Sequence, residues 1–382
     1  MSKEVLVLGG TGAMGTYLVP RLASASGTHC SVTTRQGRGR PGKESGRENA
    51  LGDEVTYLRG NAHDLTFTSN ILRKQRFDAI IDFMNYSTPE MRERVDLLLS
   101  HTDHYLFLSS ARVFAESASP IHEESPRLLD VCSDARYLAT DEYALSKARQ
   151  ENMLRDSHRR NWTILRPYIT YSSRRFQLGT LEADQVVFRA WRGLPVALPR
   201  EVLSRKTTMT WANDVASMIA ALVSNPSSLG ESFNLATSES RTWREVAGLY
   251  ANSLGLVCQE TELDAFLAAT GSTEQVRRDR LFDRVFNSDK IEAATGIGPG
   301  VPLEEGLVFE LASVKVPVPG QWPVIAWHRQ GAMDRLTKRV APPPINAGAS
   351  AHAMYWGGRS LILTDLGRSL LRHRAKARSR VG

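Results

Sequence analysis

The sequence predicts an α/β protein built on a doubly wound parallel sheet, with a smaller mixed C-terminal lobe. Three observations predict it. Short apolar runs of strand length alternate with helix-compatible stretches through the first half of the chain. The first run breaks at a glycine turn that opens directly onto an apolar periodic stretch. At 382 residues the chain exceeds one small core and calls for a large domain plus a second lobe.

The elements follow in order. Residues 4–8 form a short apolar β run, Gly9-Gly10-Thr11-Gly12 is the turn, and AMGTYLVPRLA is the first helix. A second β run over 30–34 ends at Arg35; further runs cover 55–58, 79–83 and 104–109. Between them ILRKQRF and PEMRERVDLLLS are the clearest helical stretches. Near-continuous apolar strands indicate a sheet covered on both faces. After a long loop, 141–158 reads as a helix and 162–165 as a strand stopped by Arg166-Pro167. The alternation then loosens, with helices expected over 183–192, 212–224 and 243–254 and a strand over 232–235. From about residue 314 the chain is rich in Pro, Gly, Trp and Arg, with one apolar patch, SLILTDLGRSLL. A closing flap, an oligomer contact and a partly disordered tail all fit that composition. The expected division is 1–167, whose sheet is open to later strands, then 168–313 interleaved with it, then a C-terminal extension over 314–382.

Composition bounds the class. With 42% hydrophobic and 23% charged residues this is an ordinary globular protein, and no apolar run reaches bilayer length. The start MSKEVLVLGG runs straight into a strand and has no secretory pattern. Cys30, Cys132 and Cys258 are odd in number and widely spaced, which suits a reducing cytoplasm rather than a disulfide framework or zinc knuckle. The net charge of +7 is concentrated in RQGRGRPGK and RSLLRHRAKARSR. It suits phosphate-bearing small molecules; with no helix-turn-helix, zinc-finger or aromatic RNA-binding signature, nucleic acid is not the expected partner.

Gly9, Gly12 and Gly15 space the turn as GxxGxxG between strand and helix. A tight turn, close backbone approach to a pyrophosphate and close helix packing each demand glycine, and the helix N-terminus offers its N–H groups to phosphate. An acidic residue closing the second strand would accept hydrogen bonds from a bare ribose diol. Arg35, with Arg38 and Arg40 behind it, suits a 2′-phosphate instead, which leans the expectation to NADP over NAD.

Tyr143 and Lys147 lie four residues apart in DEYALSKARQ, on one face of the expected helix, and HYLFLSS ends at Ser110. The glycine turn, this serine in SSARVF, YxxxK on the next helix, LRPYITY, TMTWANDVA and GESFNLA together resemble an extended short-chain dehydrogenase/reductase. The likeness is to the branch of nucleotide-sugar epimerases, dehydratases and reductases, and spans roughly residues 3–310.

The resemblance implies a Rossmann-type domain, a substrate lobe and a tightly held oxidised NADP or NAD. It implies that Tyr143 is the general acid/base, that Lys147 favours its phenolate and binds the nicotinamide ribose, and that Ser110 orients the substrate oxygen. A free tyrosine keeps its proton to about pH 10, so the help is needed. Implied cofactor contacts are Gly9, Thr11, Gly12, Ala13, Met14, Gly15, Arg35, Asn61, Ala62, Phe83, Met84, Asn85, Tyr143, Lys147 and Pro167. Implied substrate contacts are Tyr86, Ser110, Ala111, Tyr168, Tyr171, Arg174, Arg205 and Trp211, with Arg175 beside them. No metal is implied.

Departures carry information. Asn61 replaces the usual adenine-contacting Asp, and Asp82-Phe83-Met84-Asn85-Tyr86 replaces the family's HxAA. Ala111-Arg112 stands where sugar 4,6-dehydratases carry Asp-Glu; Glu116, Glu123 or Asp141 would have to supply a carboxylate by another route. The leading expectation is therefore an epimerase or isomerase of a nucleotide sugar working through a transient ketone. A dehydratase of a sugar or nucleoside and an NADPH-dependent reductase are the enzymic alternatives. A cofactor-binding regulatory or RNA-associated protein is the non-enzymic one. Paired helices of family members suggest a homodimer.

Overall fold

The computed structural model describes residues 2–35, 55–118, 120–298, 300–314 and 325–360. The chain divides into two compact units. The first comprises residues 1–174, 208–240 and 284–306, and the second 175–207, 241–283 and 307–382.

The first unit is built on a seven-stranded sheet: β1 (Lys3–Leu8), β2 (Thr28–Thr34), β3 (Thr56–Arg59), β4 (Phe77–Asp82), β5 (Thr102–Leu108), β6 (Trp162–Pro167) and β7 (Glu231–Leu235). Their spatial order is β7-β6-β5-β4-β1-β2-β3, and every pairing is parallel. The order reverses beside β1, the switch point at which such sheets bind ligands outside their carboxyl ends. Strand positions match the sequence reading to within one or two residues, because both faces are covered. Val5 and Val7 point into one core with Leu18, Val19, Leu22, Val215 and Ile219, whereas Leu6 and Leu8 point into the other with Leu72, Met91, Leu98 and Leu154.

Helix α1 (Gly15–Ala23) follows the glycine turn, and α2 (Leu65–Lys74) starts at Asp64, whose carboxylate accepts from the Thr66 amide at 2.9 Å. The stretch expected as one helix after β4 is two, α3 (Thr88–Arg92), opened by a Ser87–Glu90 capping box, and α4 (Val95–Ser100). The buried Arg94 at their junction donates to the Glu90 carbonyl, which a continuous helix would have satisfied itself, and to the carbonyl of His63 before α2. Helix α5 (Tyr143–Arg155) and helix α6 (Ala212–Val223) complete the cover, with Ile291 of α7 (Asp289–Thr295) in the α1-side core.

The second unit contains helices Ala183–Trp191, Trp243–Leu254, Leu263–Thr270, Trp327–Leu336 and Ala349–Ser360, and a parallel pair, Val196–Pro199 with Cys258–Thr261. Two of these helices lie in the stretch whose composition left its structure open. They are tied down by the buried Arg189, which donates to Asp334 at 2.8 Å and to Gln330 at 3.2 Å, and by Tyr355, which donates to Asp334. The patch SLILTDLGRSLL falls, beyond its first residue, outside the described residues, as do Arg38 and Arg40. Among the described residues no helix is long and apolar enough to cross a membrane.

Candidate active site

The glycine turn divides its labour among its members. Gly9 has φ +73°, a conformation only glycine holds cheaply, and its amide donates to Thr33 Oγ1 at 3.0 Å. A Cβ on Gly15 would stand 2.0 Å from the Gly10 carbonyl oxygen, so α1 abuts the turn as closely as backbone allows. A Cβ on Gly12 would meet no atom within 4 Å. Met14 gives α1 no side-chain cap, and the Thr16 and Tyr17 amides turn inward to the carbonyls of Gly12 and Met14 at 3.0 and 3.1 Å. An open face above Gly12 and an uncapped helix start fit a dinucleotide pyrophosphate.

Other expected cofactor contacts gather around this turn. Met84 Sδ lies 2.8 Å from where a Gly9 Cβ would be, with Phe83 beside it, and the Phe83 amide donates to the Leu8 carbonyl at 3.0 Å. Arg35 is exposed at the end of β2. The Asn61 Oδ1 accepts from the His63 amide at 3.1 Å, so that side chain shapes the turn after β3, and Ala62 is buried.

Ser110 lies just past the carboxyl end of β5 and is 6% exposed; its Oγ accepts from the Arg112 amide at 3.2 Å. The 3-10 turn Ala111–Val113 packs on α5, which begins with Tyr143 itself. The Arg112 guanidinium lies 5.2 Å from the Tyr143 ring centroid and is held there by Glu142 at 2.7 Å. Glu142 also accepts from the Ala144 amide at 2.8 Å and from the Tyr137 hydroxyl at 3.0 Å, capping the helix at the tyrosine. One turn on, Lys147 is buried and donates from Nζ to the carbonyl of Leu108 at 2.8 Å, two residues before Ser110. Burial pushes the Lys147 ammonium down to about 8, against the opposing pull of Asp82 and Glu151. The fold thus brings Ser110, Tyr143 and Lys147 to one end of the sheet, next to the segment after β4.

A charged network that the sequence reading missed lies directly beneath. Glu151, four residues past Lys147 and fully buried, accepts from Ser109 Oγ at 2.6 Å and from Arg127 at 3.1 Å. It also takes two hydrogen bonds from Arg166, from Nε and a terminal nitrogen, both at 2.8 Å. Arg166 donates to the Glu123 carbonyl at 2.9 Å, and the Glu123 carboxylate accepts from the Asn234 amide of β7 at 2.7 Å. The signal was present in the sequence: a glutamate at i+4 from the lysine and an arginine closing β6.

Two of the three carboxylates that could have replaced a dehydratase pair, Glu123 and Asp141, are engaged elsewhere. Glu123 belongs to this network, and Asp141 accepts from the Thr88 amide at 3.0 Å and from its hydroxyl. Glu116 is exposed. Ala111 is fully buried and Arg112 is the residue at the tyrosine face.

The expected substrate contacts separate. Tyr168 packs on Phe286 with centroids 5.3 Å apart, and Trp211 meets Tyr17 edge-on at 6.0 Å. Tyr171 is fully buried. Tyr86 is a core residue, 2% exposed, with the Arg94 guanidinium 4.4 Å over its ring and His63 edge-on at 5.6 Å. Arg174 is partly exposed in the first unit, while Arg175 and Arg205 belong to the second. Buried Arg284 was not foreseen; it donates to the carbonyls of Phe114 and Ala115, both at 3.0 Å, and burial pushes its guanidinium down to about 10.

A family model described as the NAD dependent epimerase/dehydratase family matches residues 5–236. No curated protein sequence matches the chain. Among solved structures, the chain is similar to the UDP-glucose 4-epimerase of Bifidobacterium longum in complex with NAD+ and UDP. That pair is 19% identical over 81% of this chain and 97% of the other, with a TM-score of 0.62. It is also similar to the dTDP-glucose 4,6-dehydratase of Bacillus anthracis in complex with NAD, at 16% identity over 81% and 96% of the two chains and a TM-score of 0.63. The UDP-glucuronic acid 4-epimerase of Bacillus cereus, in complex with UDP-glucuronic acid and NAD, gives 14%, 81% and 98%, and 0.59. At these identities the likeness is one of fold.

Proposed function

The chain belongs to the NAD dependent epimerase/dehydratase family, and from that premise we propose that it is an epimerase or related isomerase of a nucleotide sugar, working through a transient ketone. The observation that carries the reading is the approach of Ser110, Tyr143 and Lys147 at the carboxyl ends of β4 and β5, with Arg112 in place of a dehydratase acid.

The glycine turn and the first turn of α1 would hold the pyrophosphate, with Arg35 beside the adenosine ribose and NADP the preferred form. Met84, Lys147 and Pro167 would lie along the nicotinamide half. The cofactor supplies an acceptor that takes hydride from a carbinol carbon and later gives it back.

The residues of the chain move the proton and fix the geometry. Ser110 Oγ donates to the reacting oxygen and orients it. Tyr143 takes the carbinol proton as its C–O bond becomes a carbonyl and returns it when the hydroxyl is re-formed. The Lys147 ammonium, held by the Leu108 carbonyl, favours the phenolate, and Arg112 over the ring face adds a second positive charge. Arg174 and Trp211, both partly exposed in the first unit, would be the guanidinium and aromatic groups for a nucleotide diphosphate and base.

Incubation with a panel of nucleotide sugars in D2O, without added cofactor, tests the proposal. Stereochemical inversion or deuterium gain with no change in redox state is the expected result. Loss of water from the product would identify elimination instead, and net NADPH consumption a reductase. Unchanged substrates across the panel would remove the epimerase reading.

A further inference from the structure

The replacement of HxAA after β4 puts an acid in an unusual place. Asp82, the last residue of β4, is fully buried. Its Oδ1 accepts from the Met84 amide at 2.9 Å and its Oδ2 from the Tyr105 hydroxyl of β5 at 2.9 Å. Burial pushes the Asp82 carboxyl up, and the Met84 amide, the Tyr105 hydroxyl and the Lys147 charge pull it back; donors on both oxygens match its ionised form. Met84 in turn offers its carbonyl to Lys147 Nζ at 3.5 Å, while the Leu108 carbonyl takes the shorter bond at 2.8 Å. The residue bridging acid and lysine is therefore one whose side chain also packs on the glycine turn.

We propose that Asp82 is a positioning residue, a buried counter-charge that keeps Lys147 protonated and aimed at the reacting end of the sheet. The inference rests on the reading of Lys147 as part of the reacting set. A lysine this deeply buried is pushed toward its neutral form, and a neutral amine would neither support a phenolate nor hold a ribose as a cation does. The groups that face it are few. Asp82 approaches from β4, with Tyr105 of β5 on the same carboxylate and Tyr86 near it beneath Arg94. Phe107 of β5 presents its ring 4.7 Å from Nζ. Glu151 approaches from α5 itself, but its charge is shared with Arg166 and Arg127. Among the described residues Asp82 accepts no arginine hydrogen bond, and so is the carboxylate left to act on the lysine.

The test is Asp82→Asn, which keeps the size and the acceptor for the Met84 amide and removes the charge. Lysine labelled with carbon-13 at Cε reports the protonation of Lys147 by NMR, with Lys147→Arg giving the assignment. The wild-type signal is expected to titrate near pH 8. In the variant the midpoint moves acidward by about one unit, a roughly tenfold loss of the charged fraction above the midpoint. With a substrate in hand, the variant-to-wild-type ratio of kcat/KM falls from near one at pH 6 to about a fifth at pH 8 and toward a tenth above it. A structural defect would instead lower the ratio evenly.

An unmoved Lys147 midpoint in Asp82→Asn overturns the inference whatever the substrate proves to be. Should the variant fail to fold, a wild-type Lys147 already neutral at pH 7 still overturns the inference, because it then has no effective counter-charge. Failure of every nucleotide sugar to react would count against the proposed function and leave the NMR result standing.

Discussion

Replacing Glu151 by Gln removes the anion at the centre of the network under the site while preserving its shape. Arg127 keeps its second partner, Asp130, at 2.8 and 3.0 Å, so its charge stays compensated. Arg166 has no exposure and loses the carboxylate it pairs with among the described residues, so one buried cation is left unpaired. That costs about 3–5 kcal/mol, a large share of a domain stability of about 5–15 kcal/mol. The double variant Glu151→Met with Arg166→Met removes both charges and should recover to within about 1–2 kcal/mol of wild type, the remainder being the Glu123 carbonyl that Arg166 had served. Urea denaturation followed by circular dichroism gives both numbers, provided the m values agree. The pH dependence has a definite sign. Burial pushes the Glu151 carboxyl up, but Arg166, Ser109 and Arg155 outweigh it and hold the group below the ordinary range. A depressed folded value means the stabilisation is complete above the unfolded value near about pH 4.3 and is lost as pH falls through the folded one. The gap between wild type and Glu151→Gln should therefore narrow below about pH 4. A single variant within about 1 kcal/mol of wild type at pH 7, or a double variant no better than the single, would refute the reasoning.

Tyr143→Phe should lower turnover by about 10²–10⁴-fold while the cofactor dissociation constant, read by fluorescence titration, stays within about twofold; substantial residual turnover would take the proton role from Tyr143. Gly12→Ala should leave the melting temperature unchanged and weaken cofactor binding, because its methyl would enter open space where the pyrophosphate is expected. Gly15→Ala, whose methyl would meet the Gly10 carbonyl oxygen at 2.0 Å, should lower both; the opposite pattern would misplace the phosphate site. Arg35→Asp should shift the ratio of NADP to NAD dissociation constants toward NAD by about tenfold or more, and an unchanged ratio would remove Arg35 from cofactor selection.

The sheet was legible in the sequence because its central strands, covered on both faces, are written as short, mostly apolar runs, and the turn because three glycines must recur at fixed spacing. Tyr143, Lys147 and Ser110 could be placed on elements for the same reason. Three things were hidden. The break between α3 and α4 depends on Arg94 reaching the carbonyls of Glu90 and His63, which no local pattern announces. The positions of Asp82 and Glu151 were visible, but not their pairing, since Tyr105 and Arg166 reach them from other strands. Tyr86 was expected to face the substrate, yet aromatic residues near a site serve equally as core, and Arg94 covers its ring. The helices after residue 325 were masked by Gly- and Pro-rich composition and are held by the Arg189–Asp334 contact from another stretch of chain.

The pairing of β6 with β7 has a consequence for how the protein is made. Every residue of β6 is buried, and its neighbour arrives only after the chain has run through 175–207, which belongs to the other unit. While a ribosome is still producing that excursion, the nascent sheet ends in the unpaired edge of β6. Synthesis halted before residue 231 would release a fragment able to recruit another copy of itself, and chaperone demand should peak in that interval of translation and fall once β7 has docked.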